Sequence, residues 1–74
     1  MKIVEIRWKD SAFGDQGWCK KSKARKHSPA TIHTVGYLAK QRKTSVVLMQ
    51  SRSNNQGAAT ICIPTGCIRS IRYL

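Results

Sequence analysis

Residues 59–73, Ala-Thr-Ile-Cys-Ile-Pro-Thr-Gly-Cys-Ile-Arg-Ser-Ile-Arg-Tyr, hold the pattern that decides the fold. Residues 59–63 read as a strand, because β-branched residues dominate them and a turn signal follows at once. Pro64-Thr65-Gly66 is that turn, with a single 3₁₀ turn as its tighter form. Residues 67–73 read as another short strand. Strand, tight turn and strand within fifteen residues leave no room for a helical layer at this end of the chain.

Working back toward the N-terminus, the pattern repeats. Residues 44–51 (Thr-Ser-Val-Val-Leu-Met-Gln-Ser) make a strand whose apolar run predicts burial on both faces. The stretch 52–58, with Asn54, Asn55 and Gly57, is a loop. Lys40-Gln41-Arg42-Lys43 is a polar turn. Residues 30–40 read as a strand with Gly36 in its interior, and an interior glycine predicts a bulge or a sharp bend there. Residues 2–8 alternate cleanly, and Val4, Ile6 and Trp8 share an apolar face.

Between these last two strands lies a connection of about twenty residues, 9–29, a length that in a small domain marks a functional or a disordered segment. Its turn formers are Asp10, Ser11, Gly14, Asp15 and Gly17. Lys20 to His27 favours two helical turns, with Pro29 to stop them. Five short strands in 74 residues predict one all-β domain spanning residues 1–74: a small five-stranded antiparallel barrel with a long basic loop between strands 1 and 2. The strand, turn, strand ending is also a feature of SH3-like and Sm-like barrels. Small sheets leave edges open, so a homo-oligomer formed edge to edge is expected, with the third and last strands as candidates. No apolar run approaches the ~20 residues of a membrane span. The N-terminus also lacks the apolar stretch of a secretory signal, so a cytoplasmic, non-membrane protein is expected.

Four short motifs carry a resemblance: Trp8-Lys9-Asp10-Ser11, Gly17-Trp18, Val35-Gly36-Tyr37-Leu38 and Ile63-Pro64-Thr65-Gly66-Cys67-Ile68. In these the chain resembles a family of small, mostly uncharacterised proteins of tailed bacteriophages and prophages. The resemblance covers most of the chain. It implies a phage-encoded protein working in the host cytoplasm, and it brings no catalytic residues. The basic run at 20–26 departs from the family pattern.

Charge is the strongest functional signal. The chain carries 14 Lys and Arg against 3 carboxylate side chains, a net +11. Glu5, Asp10 and Asp15 all precede residue 16, so the remainder is basic without relief. Such a chain repels itself when compact and gathers anions, and nucleic acid is the commonest polyanion. Lys20, Lys21, Lys23, Arg25 and Lys26 form the densest run. Lys40, Arg42 and Lys43, with Arg52 beyond the next strand, are expected to lie near the long loop and extend one basic surface. Arg69 and Arg72 stand three apart on a strand and so point to opposite faces. Trp18, Tyr37 and Phe13 are candidates to stack on bases, whereas Trp8 belongs to the core. For Trp18 a lid over one barrel end is the competing role.

These features point to binding of DNA or RNA through phosphate contacts with low sequence specificity. The alternative is a phage accessory or anti-defence protein that docks on a host protein or sequesters an anionic nucleotide. Three carboxylates, two histidines (His27 and His33) and no nucleophile motif do not assemble into acid–base machinery, so neither an enzyme nor a cofactor is expected. Cys19, Cys62 and Cys67 cannot all pair internally, and three free thiols are expected. A zinc site would need all three with His27 or His33, and the Cys-x4-Cys spacing is too wide for the usual knuckle.

Overall fold

A computed structural model describes residues 1–11, 14 and 17–74. The fold is all-β: a five-stranded antiparallel sheet of order β4-β3-β2-β1-β5. The strands are β1 (Ile3–Asp10), β2 (Ala30–Gln41), β3 (Ser45–Arg52), β4 (Gly57–Pro64) and β5 (Ile68–Tyr73). One short helix, α1 (Lys21–Arg25), sits in the 11–29 connection, and a single 3₁₀ turn, η1 (Thr65–Cys67), joins β4 to β5. The helix is shorter than the two turns expected, because Lys26 already leaves the ladder as its C-cap.

Alternation places one face of every strand on a common core. Val4, Ile6, Val46, Leu48 and Ile63 are fully buried, and Trp8, Leu38, Ile61, Ile68 and Ile71 pack against them. In β1 and β5 the register sets Ile6 opposite Ile71 and, past a bulge, Trp8 opposite Ile68. Burial on both faces, expected for the third strand, is not found. Val46 and Leu48 are buried while Val47 and Met49 are half-exposed. Val47 and Met49 alternate with the core pair and so face away from it, β2 and β4 flanking them in the sheet. Nor is β3 an edge, since it lies between β2 and β4; the edges are β4 and β5.

β2 is the strand that turns the sheet. Its residues 30–37 pair with β1, and Tyr37 onward pairs with β3. The register shift falls between Leu38 and Lys40, beyond the glycine. Gly36 has a different role: a Cβ there would stand 3.0 Å from the Met49 carbonyl oxygen and 3.4 Å from the Leu48 Cβ. The missing side chain lets β3 cross close over β2, and the bulge at Ala39 absorbs the change of direction.

η1 closes one end. The Thr65 N–H donates to the Thr44 carbonyl at 3.0 Å, while Ile68, three residues on, is already opposite Trp8. The turn after β2 and the root of the 11–29 connection are therefore tethered through about 14 Å of chain or less. The opposite end carries the β3–β4 hairpin tip and the start of β1. The molecule is long and narrow, 53 × 21 × 21 Å.

Candidate functional site

The basic run forms an arm on the 11–29 connection. Lys20 caps α1 with extended backbone, and the Lys23, Ala24, Lys26 and His27 amides close the turns around it. Lys20, Lys21, Lys23, Arg25 and Lys26 are all exposed, and α1 has no buried residue. Lys and Ala favour helix locally, yet five residues without an apolar face cannot bury anything against the sheet. Trp18, two residues before the run, is wholly exposed, with a relative accessibility of 105%. It covers no end of the sheet, so the lid role is not what this geometry provides. Phe13 and Asp15 lie outside the described residues.

The other candidates divide between the two ends. Arg42 and Lys43 lie in the turn tethered by η1, on the same end as the root of the arm. The Arg42 amide donates to the Ser45 carbonyl at 2.8 Å, and Lys40 is exposed two residues earlier. Arg69 belongs to this end as well, its guanidinium donating to the Gly66 carbonyl at 3.4 Å. At the root of the arm the Lys9 ammonium donates to the Thr31 hydroxyl.

Arg52 and Tyr37 do not join this surface. Tyr37 is opposite Ile3, and β1 carries the chain about 23 Å from there to Asp10 at ~3.3 Å per residue. The Arg52 guanidinium carbon lies 5.3 Å from the Tyr37 ring centroid, a cation–π contact at the far end. One continuous basic surface is thus corrected to a basic end and a separate Arg52–Tyr37 pair. Antiparallel β3 runs away from the turn at 42–44, and this explains the separation.

Of the remaining candidates, Arg72 is held by Glu5, with Nη2 3.2 Å from Oε1. The register sets the two side by side on the outer face. Cys19 and Cys62 are exposed thiols, and Cys67 is a half-buried one in η1. Among the described residues no three His, Cys, Asp or Glu side chains come together as metal ligands would, so the zinc alternative gains no support. Among the same residues, no helix is long and apolar enough to cross a membrane.

The Ser53–Gly57 segment was legible only as a loop. The structure adds a shape to it: an open cleft between Met1, Met49, Arg52 and the hairpin tip. The adjacent Asn54, Asn55 and Gln56 were the available signal. No protein family matches the chain, and no curated protein or solved structure matches it either.

Proposed function

We propose that this chain is a small nucleic-acid-binding protein of phage type, gripping phosphates at its basic end with little sequence preference. The observation that carries the reading is Trp18, a fully exposed indole at the head of five exposed cations. An indole in water forgoes the burial that usually stabilises an aromatic residue, and a base stacked on it restores that burial. The adjoining cations neutralise phosphates and release counterions. Arg42, Lys43 and Arg69 extend the same end. Phosphate contacts position a strand without reading it, which accounts for low specificity.

In this reading the sheet is an SH3-like or Sm-like barrel. Support comes from the strand order, the close crossing at Gly36 and the 3₁₀ turn between the two edge strands. Several residues of the four motifs are structural. Trp8 and Ile63 pack in or against the core, and Gly36 permits the crossing. A phage family sharing those motifs would share the scaffold, with the basic arm as this chain's own addition. The exposed edges β4 and β5 are where a second copy would pair.

The test is a fluorescence-anisotropy titration of nuclease-treated protein with single-stranded DNA, duplex DNA and RNA at low and physiological salt. Binding that persists at physiological salt and strengthens with polymer length supports the reading. Equal loss for every polymer sinks it, and directs the search to a host protein or an anionic nucleotide.

A further inference from the structure

The hairpin between β3 and β4 has a short tip that is not closed in the usual way. The Ser53 amide donates to the Gln56 carbonyl at 2.8 Å, which leaves Asn54 and Asn55 as the central pair. Of the mirror-image turns that usually close two-residue hairpins, type I′ needs positive φ at both central residues and type II′ at the first. Neither asparagine has it; among the described non-glycine residues only Ala59 does. The return bond is therefore made by a side chain, the Gln56 amide donating to the Ser53 hydroxyl at 3.2 Å. The tip opens as a result, and a cleft of about 290 Å³ lies beside it.

The walls of that cleft are chemically distinct. Met49 forms an apolar floor, and its Sδ would stand 2.3 Å from a Cβ at position 57, so Gly57 is what lets the thioether lie there. Arg52 forms one side. Its guanidinium carbon lies over the Tyr37 ring, a contact that restrains an otherwise mobile group. The exposed residues Asn54, Asn55 and Gln56 also line it, and each carboxamide offers a donor and an acceptor. A flat cation, a soft apolar floor and paired amide donors and acceptors suit a planar heterocycle with a polar edge. The volume is at the small end of ligand pockets, of the order that a single base needs.

We propose that this cleft holds one base of a single-stranded nucleic acid, stacked on Arg52 with its edge toward the asparagine pair. The proposal rests on the nucleic-acid reading of the basic arm and adds a second contact at the other end of the 53 Å molecule. Phosphates and the base on Trp18 are held at one end, and a second base is held at the other.

Two variants isolate the cleft. Arg52→Lys keeps the charge and removes the stacking plane. Gly57→Ala displaces the Met49 thioether that forms the floor, without backbone strain, since no glycine has positive φ among the described residues. Both are compared with the wild type for binding to a thymidine oligonucleotide and to an abasic oligonucleotide of equal length, with circular dichroism to verify folding. The expected result is a wild-type preference for the base-bearing strand to which Trp18 and the cleft each contribute about fivefold or more, the lower end of one stacked base. Each variant is expected to lose the cleft's share of that preference and to keep its affinity for the abasic strand. A preference undiminished in both variants overturns the cleft and leaves the stacking to Trp18. Equal wild-type binding of the two strands overturns the cleft and the stacking on Trp18 alike, and leaves the phosphate contacts alone. Binding of neither strand overturns both.

Discussion

The indole N–H of Trp8 donates to the Thr34 hydroxyl at 3.0 Å, joining β1 to β2 across 26 positions of sequence. Thr34 is opposite Ile6 in the ladder, so its side chain points to the core face. A hydroxyl there is tolerated because the indole needs an acceptor. Thr34→Val keeps the shape and the β propensity but leaves the donor without that partner. The expected cost is about 1 kcal/mol, near the low end for a stranded donor because the pair is only partly buried. Thr34→Ser is expected to retain most of the stability. Urea unfolding of the three proteins decides this, and equal midpoints would mean that water already serves the indole.

The core is thin. Five side chains are fully buried, and the largest of them, Ile6, Leu48 and Ile63, come from three different strands. Leu48→Ala removes a contact shared by β2, β3 and β4, and is expected to cost about 2–5 kcal/mol. A domain of this size has little stability in reserve. Loss of the cooperative thermal transition is therefore the expected outcome, and a fall in Tm of only a degree or two would show that the sheet closes around the gap.

Strand existence was legible because it depends on local pattern: alternation in β1, β-branched runs in β3 and β4, and punctuation at Pro64 and Gly66. Two features were not legible, for one reason. The half-exposure of Val47 and Met49 depends on what covers the outer face, and the positions of Arg52 and Tyr37 depend on which way β3 runs after the turn. Both are set by pairing between distant segments, which composition does not encode. Gly36 shows the boundary well. The sequence marks it as special, yet only the register shows that the special feature is the Met49 carbonyl, while the bulge itself falls at Ala39. For the site, the basic run could be read directly as a charge cluster. The open hairpin tip could not, since it follows from the φ angles of Asn54 and Asn55.

Ala59 has φ of 53° in the middle of β4, a left-handed conformation that L residues avoid. The pairing with β3 skips this residue, Met49 being opposite Thr60 and Ser51 opposite Ala58, and the register is the same on either side, so the flanking pairs keep Ala59 in place. The cost of that conformation for alanine is about 1 kcal/mol. The stability order at this position should therefore run Gly above Ala above Val, the reverse of strand propensity. Ala59→Gly is expected to gain up to about 1 kcal/mol and Ala59→Val to lose more than that. The opposite order in chemical denaturation would mean that β4 is relaxed at this residue.

The arm is separable from the scaffold, and this yields the sharpest test of its role. No residue of α1 is buried, so replacing Lys20, Lys21, Lys23, Arg25 and Lys26 with Ser removes charge without touching the core. The circular-dichroism strand signal and Tm are expected to stay close to those of the wild type. Binding should respond differently. Each phosphate contact contributes about 0.7 to the slope of log affinity against log salt on a single strand, so losing all five flattens the slope by up to about 3.5. Trp18→Ala should do the converse, lowering affinity by roughly fivefold or more with an unchanged salt slope, because stacking releases no counterions. The two variants thus separate charge from stacking within ten residues of chain. An unchanged salt slope in the five-fold Ser variant would remove the arm from the interface, and would leave Arg42, Lys43 and Arg69 as the phosphate-binding groups at that end.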